Sequence, residues 1–134
     1  MERRVVITGQ GAITPIGNNV NEIWKGIENK KCGIDNISLF DSSNFKTSLC
    51  AEVKDYNPLD YFEPKQAKRL DRSSQFALIA AREAVKNSGI TSENTDFKKV
   101  GIFVSTGIGG LITIQNQCEI NYEKGNNRVS PMFI

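Results

Sequence analysis

The predicted fold is decided by the stretch Arg4-Val5-Val6-Ile7-Thr8-Gly9-Gln10-Gly11-Ala12-Ile13-Thr14-Pro15-Ile16-Gly17. Residues 5–7 form a β-branched run without polar alternation, which is typical of a strand covered on both faces in a parallel sheet. Gly9 and Gly11 follow this run, and their missing side chains permit a positive φ and a close approach of the backbone. We therefore predict a central strand, a tight turn and then a helix, which is the order found in α/β folds.

The same order returns near the end of the chain. Residues 100–105 predict a second buried strand, and Thr106-Gly107-Ile108-Gly109-Gly110 predicts a second glycine-rich turn. A final helix is expected from Leu111 to Tyr122 or Glu123, followed by a turn at residues 125–127. Two strand-turn-helix units in one chain favour a layered α/β architecture.

Two further helices are predicted between these units. Asn19 and Glu22 form a candidate capping box, and apolar residues recur at i, i+3, i+4 and i+7 over residues 20–27. Trp24 belongs to that apolar face, so we expect it to anchor a core. The second helix is expected from Ser73 or Ser74 to Asn87, with an apolar surface around most of its circumference, and should be buried.

The connecting residues are expected to be less regular. Residues 34–44 have the composition of a loop, residues 48–53 predict an edge strand, and Pro64 is well placed in the first turn of a short helix. Four basic residues follow that proline: Lys65, Lys68, Arg69 and Arg72. If one helix continues through them, Lys65, Lys68 and Arg72 share a face and Arg69 lies alongside. This face would be either a solvated surface or a docking site for an acidic partner.

The composition limits the possible functions. The chain has 134 residues, 39% of them hydrophobic and 24% charged, with a net charge of +2, which is too small to indicate nucleic-acid binding. No apolar run approaches the roughly 18 residues of a membrane span. The first residues resemble no signal peptide, so we expect a cytoplasmic protein. Because residues 130–134 are apolar and carry no polar tail, we also expect a truncated chain.

Glycine-rich turns after buried strands also suggest dinucleotide binding, since backbone amides and a helix N-terminus can hold pyrophosphate. Neither turn fits this reading well. The first, at residues 9–14, has two of the three glycines of G-x-G-x-x-G but is followed by Pro15, and the second has Ile112 in place of the third glycine. Neither turn carries the lysine of a P-loop, and no cofactor is expected.

Nucleophilic catalysis is not predicted for these residues. The chain contains no histidine, and its cysteines, Cys32, Cys50 and Cys118, lack C-x-x-C spacing and an obvious activating base. Cys118 falls within the predicted last helix, where structural burial is the expected role. No metal site is predicted, because the thiols and carboxylates are scattered.

The motifs together resemble the N-terminus of a β-ketoacyl-acyl-carrier-protein synthase. The resemblance runs through residues 4–17, Trp24, the segment from Lys65 to Asp71 and residues 105–111, in order and spacing over essentially the whole chain. The Gly107-Ile108-Gly109-Gly110 form is similar to type II, the long-chain elongating class. The resemblance implies the thiolase-like fold, with layered α/β/α halves, a mixed and mostly parallel sheet, and a homodimer. Residues 1–134 would then be the N-terminal portion of the first half.

The resemblance also implies a reaction, a decarboxylating Claisen condensation of acyl-carrier protein with malonyl-carrier protein in fatty-acid synthesis. The cysteine nucleophile and two histidines of the family lie downstream of Ile134, so no catalytic residue is assigned here and the fragment is expected to be inactive. The expected partner is acyl carrier protein, with no nucleic acid, membrane, cofactor or metal.

The resemblance also implies roles for individual residues. Gly107, Ile108, Gly109 and Gly110 match the family's gate to the acyl pocket, with the glycines absorbing the backbone change. Phe133 and Ile134 match the segment that lines the partner's acyl pocket across the dimer. The residues that match the carrier-protein docking patch are Lys65, Lys68 and Arg69, with Arg128 as an extension.

Two alternatives remain open from the sequence. One is a ketosynthase-like partner that sets chain length but lacks the nucleophile. The other is a nucleotide-binding oxidoreductase domain.

Overall fold

The computed structural model describes residues 4–131 and 133. The described residues contain four helices: α1 (Val20–Glu28), α2 (Pro64–Ala67), α3 (Arg72–Ser88) and α4 (Leu111–Lys124). The same residues also contain two short strands, β1 (Ile34–Asn36) and β2 (Leu49–Ala51), and three 3-10 turns, Pro58–Asp60, Phe97–Lys99 and Asn126–Arg128. The chain forms two compact units. The first contains residues 4–57 together with Leu78–Val100, and the second contains Pro58–Ala77 with residues 101–131 and 133.

In the first unit, α1 begins as the sequence predicts. The Asn19 side chain accepts a hydrogen bond from the Glu22 amide at 2.9 Å, and the Glu22 carboxylate accepts one from the Asn18 amide at 2.9 Å. This is a capping box whose return bond reaches one residue before the cap. Trp24 was predicted to be buried, and this is wrong: its side chain is 62% exposed, because no other described segment covers that face of α1.

The paired sheet of the described residues is small. β1 and β2 are antiparallel, with Asp35 opposite Cys50. β2 lies inside the predicted edge strand, whereas β1 lies in residues 34–44, which were predicted to be a loop. A three-residue strand with turn-forming neighbours leaves no alternating pattern from which to predict it.

The two predicted buried strands are not strands in the structure. Residues 5–7 and 100–105 carry no regular structure, and Val5 and Phe103 are 91% and 98% exposed. A strand exists only when a neighbour accepts and donates its backbone hydrogen bonds, and neither run forms a β-bridge with another described segment. Both predictions of a buried strand are therefore wrong for the described residues, because composition alone does not specify a hydrogen-bonding neighbour.

The turn after residues 5–7 packs against α3 within the first unit. A Cβ atom on Gly9 would collide with the Ala84 carbonyl oxygen, and one on Gly11 would collide with the Ala80 carbonyl oxygen. Neither glycine has a positive φ, so the glycines are needed here for close approach and not for an unusual backbone conformation.

Glu83, on α3, holds this turn in place. Its two carboxylate oxygens accept hydrogen bonds from the amides of Ala12 and Val20, each at 3.0 Å. Asn87, one turn further along α3, donates from its side-chain amide to the Gln10 carbonyl at 3.0 Å. α3 therefore fixes both the turn and the first residue of α1 through hydrogen bonds and close contact.

The second unit contains α2, the first part of α3, and α4. Pro64 occupies the first turn of α2, as predicted, but α2 ends at Ala67 and α3 begins only at Arg72. The basic residues therefore do not share the face of one continuous helix. α4 runs from Leu111 to Lys124, close to its predicted bounds. Among residues 4–131 and 133, no helix has both the length and the apolarity needed to cross a bilayer.

Candidate functional site

The glycine-rich turn at residues 106–110 lies directly before α4. The Gly109 amide donates to the Thr106 hydroxyl at 3.1 Å, and Gly109 has a φ of +87°, a conformation that favours glycine. The Leu111 amide then donates to the Gly109 carbonyl at 3.0 Å. The turn is thus closed by two local hydrogen bonds around one left-handed residue.

Ile108 stands at the exposed tip of this turn. Its side chain is 71% exposed, and a Cβ atom added to Gly107 would meet no heavy atom within 4 Å. A large apolar side chain between unhindered glycines can change position at low steric cost. The local geometry is compatible with the gate role that the family resemblance implies for Ile108, and that role remains a prediction.

The downstream end of the turn is held by Asp71, a residue to which the sequence analysis gave no role. One carboxylate oxygen of Asp71 accepts from the amide and hydroxyl of Thr113 at 3.0 and 2.7 Å. The other accepts from the amide and hydroxyl of Ser73, both at 2.9 Å. One side chain therefore joins the first turns of α3 and α4, which are separated by 42 positions in the sequence.

These contacts affect the ionisation of Asp71. Partial burial alone would raise the pKa of Asp71, but the Thr113 hydroxyl and the amides of Ser73 and Thr113 outweigh it, and the pKa is lowered from its ordinary value. Asp71 is therefore held as a carboxylate that accepts four hydrogen bonds. The contact of Asp71 with Ser73 could have been predicted from the sequence, because an aspartate directly before a helix is a common N-cap. The contact with Thr113 could not, because no local pattern indicates it.

The basic residues lie on and after α2. Lys65 is in the helix, Lys68 is its C-cap, and Arg69 follows, and all three are exposed. Together these three residues are called the basic cluster below. Arg72 is different, because its guanidinium lies over the Phe76 ring at 4.9 Å from the ring centroid.

The end of α2 is tied to α3 by a buried side chain. Gln75 is buried, and its side-chain amide donates to the carbonyls of Ala67 and Leu70 at 2.9 and 3.0 Å. These carbonyls flank Lys68 and Arg69, so the backbone that carries the basic cluster is held in one position. Arg128, the predicted extension of the docking patch, is exposed in the 3-10 turn Asn126–Arg128.

Phe133 lies near the C-terminal part of α4. It is partly buried and its amide donates to the Ser130 carbonyl at 3.0 Å, while the Ser130 amide donates to the Gln117 side chain at 2.7 Å. Phe133 lines a surface depression with residues of α4 and the following turn: Gln117, Cys118, Asn121, Asn126 and Val129. Ile134, its predicted companion in the acyl pocket, lies outside the described residues.

The cysteines are free thiols in separate positions. Cys32 and Cys118 are exposed, so the predicted burial of Cys118 is wrong. Cys50 is half-buried, and partial desolvation and the neighbouring Glu52 carboxylate raise the pKa of its thiol, which disfavours the nucleophilic thiolate. Among residues 4–131 and 133, no three ligating side chains are grouped closely enough to hold a metal ion.

Two curated relatives of this chain bear the same name. The chain is 39% identical over 132 residues to the 3-oxoacyl-(acyl-carrier-protein) synthase 2 of Staphylococcus aureus strain N315, a match that covers 98% of this chain and 32% of that protein. It is 38% identical over 133 residues to the enzyme of the same name from Synechocystis sp., covering 99% and 32% respectively. The chain therefore spans about a third of the length of the curated relatives it matches.

Two solved structures with the same fold contain ketosynthases. The ishigamide ketosynthase/chain length factor superposes with a TM-score of 0.76 at 29% identity, covering 99% of this chain and 33% of that one. A ketosynthase bound to a hexaketide, in complex with its type II PKS acyl-carrier protein, superposes with a TM-score of 0.74 at 25% identity, covering 98% and 34%. The thiolase-like α/β fold class predicted from the sequence is thereby confirmed.

The family itself follows from a match that is almost complete. Residues 2–134 match the β-ketoacyl synthase N-terminal domain, so the resemblance found in residues 4–17, the basic cluster and the glycine-rich turns is not a chance coincidence of short motifs. The chain belongs to the β-ketoacyl synthase family, in the part described as its N-terminal domain.

Proposed function

We propose that this chain is the N-terminal portion of the first thiolase-like half of a β-ketoacyl-acyl-carrier-protein synthase that elongates fatty acyl chains. The observation that carries this proposal is the similarity to 3-oxoacyl-(acyl-carrier-protein) synthase 2 over 98% of the chain. In such a synthase, an acyl group moves from the carrier thioester to a cysteine thiol. Malonyl-carrier protein then loses carbon dioxide, and the carbanion displaces the cysteine thiolate to form the new carbon–carbon bond.

The described residues supply the parts of this reaction that precede the chemistry. The nucleophilic cysteine and the histidines belong to segments outside residues 1–134, and Cys50, with its raised pKa, is a poor substitute. We assign no catalytic residue to this chain and expect it to be inactive alone. Its proposed tasks are to receive the carrier protein and to admit the acyl chain.

Admission of the acyl chain is proposed for the turn Gly107–Gly110. Ile108 is the only bulky side chain of this four-residue segment and is exposed at its tip. Movement of Ile108 would open or close the mouth of an acyl pocket, with Gly107 and Gly109 absorbing the backbone change. Phe133 and Ile134 are proposed to line the acyl pocket of the partner subunit in a cytoplasmic homodimer.

Carrier-protein docking is proposed for the basic cluster, with Arg128 as its extension. All four side chains are exposed and cationic, as the recognition of an acidic carrier surface requires. A solved ketosynthase of the same fold is bound to its own acyl-carrier protein, which supports the same kind of partner here.

A second candidate is a chain-length partner without the nucleophile. It is supported by one of the structural neighbours, which is a ketosynthase/chain length factor. The two candidates differ in one residue of the complete protein, a cysteine at a strand-to-helix turn. They can therefore be separated by mass spectrometry, since only the synthase becomes acylated on a cysteine after incubation with acyl-carrier protein.

The nucleotide-binding alternative has less support. The amides of Ala12 and Val20, after the first glycine turn, already donate to the Glu83 carboxylate. The Thr113 amide, after the second, already donates to Asp71. A phosphate group would have to displace an internal carboxylate in each case and meet its negative charge. No change in melting temperature with dinucleotides is therefore expected.

The deciding experiment is a condensation assay on the complete protein that contains this sequence. With acyl- and malonyl-carrier proteins, we expect release of carbon dioxide and a β-ketoacyl-carrier product two carbons longer. Residues 1–134 alone serve as the control and should form none. Absence of product from the complete protein would contradict the proposed function, and product from residues 1–134 alone would contradict the assignment of the catalytic groups.

A further inference from the structure

The basic cluster and the Ile108 turn are linked within the second unit by hydrogen bonds and by the short stretches of α3 and α4 between them. It begins at the end of α2, where the Ala67 and Leu70 carbonyls accept from the buried Gln75 side chain. Gln75 is on α3, whose first turn is capped by Asp71 through the backbone amide of Ser73, a bond that does not depend on the Ser73 side chain. The same carboxylate then binds Thr113 in the first turn of α4.

α4 depends on Asp71 because it has no cap of its own. Its N-cap position is Gly110, which has no side chain to accept a hydrogen bond from the first amides. The Asp71 carboxylate supplies that acceptor from a distant part of the chain, at the Thr113 amide. Gly110 also leaves room for it, since a Cβ atom there would lie 3.0 Å from the Asp71 carboxyl carbon.

The two ends of the glycine turn are therefore held very differently. The downstream end, at Gly110 and Thr113, is fixed to Asp71 by two hydrogen bonds and close packing. The upstream end has free space around Gly107, and Ile108 is exposed. Rotation of the turn would be concentrated at Gly107–Gly109, while its downstream end follows any movement of Asp71.

We propose that Asp71 is a positioning residue that couples the basic cluster to the Ile108 turn, so that a carrier protein bound at Lys65, Lys68 and Arg69 biases the position of Ile108. Asp71 lies two residues after Arg69 in the chain and accepts two hydrogen bonds from Thr113, so displacement of the cluster backbone is passed to the start of α4. The coupling is mechanical and electrostatic, and Asp71 touches no substrate. This inference rests on the proposed carrier-docking function.

The test compares acyl transfer from two donors in the complete synthase that contains this sequence. Acyl-carrier protein engages the basic cluster, whereas the same acyl group on pantetheine does not. The measured quantity is the ratio of kcat/KM for the carrier donor to kcat/KM for the pantetheine donor. In Thr113→Val, which keeps the shape of the side chain but loses the hydroxyl, we expect this ratio to fall about fivefold. In Asp71→Asn it should fall at least as far, while the Kd for the carrier protein changes by no more than that factor, since coupling between two sites is reciprocal.

Two further variants separate coupling from stability. Thr113→Ser keeps the hydroxyl and should keep the wild-type ratio. Ser73→Ala removes a hydroxyl donor from the other oxygen of Asp71; it should lower the melting temperature without lowering the ratio. If Asp71→Asn fails to fold, Thr113→Val decides the result.

The possible failures can be told apart. A wild-type protein that accepts an acyl group from neither donor overturns the proposed function. A wild type whose carrier affinity does not depend on the basic cluster overturns the docking assignment. In the third case the wild type is active and its carrier affinity depends on the basic cluster. If Thr113→Val then leaves the donor ratio unchanged, or Ser73→Ala lowers it as much as Thr113→Val does, only the coupling role of Asp71 is overturned.

Discussion

Gly11 packs so closely on the carbonyl oxygen of Ala80 that a single methyl group on Gly11 would overlap with it. The obstacle is helix backbone, which cannot turn aside as a flexible side chain can. We therefore expect Gly11→Ala to lower the free energy of unfolding by about 1–3 kcal/mol or more in the complete protein, measured by urea denaturation. Gly107→Ala is the matched control, because its Cβ would meet nothing within 4 Å. Equal stability of the two variants would show that the contact is not formed.

The Glu83 carboxylate gives a second stability prediction. Both of its oxygens accept backbone amides, so Glu83→Gln must place an NH₂ group against the amide of Ala12 or Val20. We expect a loss of roughly 1–3 kcal/mol in the free energy of unfolding, since one donor is left without its acceptor. Glu93→Gln makes the same chemical change at an exposed position and should cost almost nothing. A loss equal to that of the control would argue against the bidentate contact.

Asp71 predicts a pH dependence of stability. Its pKa is lower in the folded than in the unfolded protein, so its stabilising effect is complete above the unfolded value of about 3.9 and is lost as the pH falls through the folded value. The difference in the free energy of unfolding between wild type and Asp71→Asn should therefore be constant from about pH 5 upward and shrink below about pH 4. A difference that persists unchanged at pH 3 would contradict the hydrogen bonds described for this carboxylate.

The sequence predicted helices better than strands, for a physical reason. The capping box at Asn19, the proline of α2 and the start of α4 are local signals, and each is found where it was predicted or within a residue or two. Residues 5–7 have the composition of a buried strand, but pairing depends on a neighbour that a local pattern does not specify. The same limit explains why the exposure of Trp24 was missed, since amphipathicity identifies an apolar face but not the surface that covers it.

In the candidate site, too, short local patterns could be predicted and contacts between distant residues could not. The glycine turn and the basic residues could be found because their composition is unusual over a short stretch. The contacts of Asp71 with Thr113 and of Glu83 with Ala12 could not, because they join residues 42 and 71 positions apart. The sequence has 15 acidic residues, and no local pattern shows which of them accept hydrogen bonds from a distant segment.

The docking assignment predicts a charge-dependent affinity. Reversing the cluster in Lys65→Glu/Lys68→Glu/Arg69→Glu should weaken carrier-protein binding by at least tenfold at low salt, because attraction between exposed charges becomes repulsion. Binding of the wild type should itself weaken as salt is raised, since such charges are screened over about 10 Å at 0.1 M. The exposed Lys46, changed to Glu, is the control for charge reversal outside the cluster. If calorimetric titration gives the same Kd for the triple variant as for the wild type, the assignment is refuted.

The gate assignment predicts a change in the length of accepted acyl chains. A phenyl ring at Ile108 would occupy more of the pocket mouth and obstruct long chains more than short ones. In the complete synthase, we expect Ile108→Phe to lower the ratio of kcat/KM for a long acyl-carrier substrate to that for a short one by about tenfold, a common effect of filling an apolar pocket. Ile112→Phe, an equal substitution at an exposed position of α4, should leave the ratio near the wild-type value. Because both variants add the same apolar surface, an equal fall of this ratio in Ile108→Phe and in Ile112→Phe would point to altered folding and would contradict the gate.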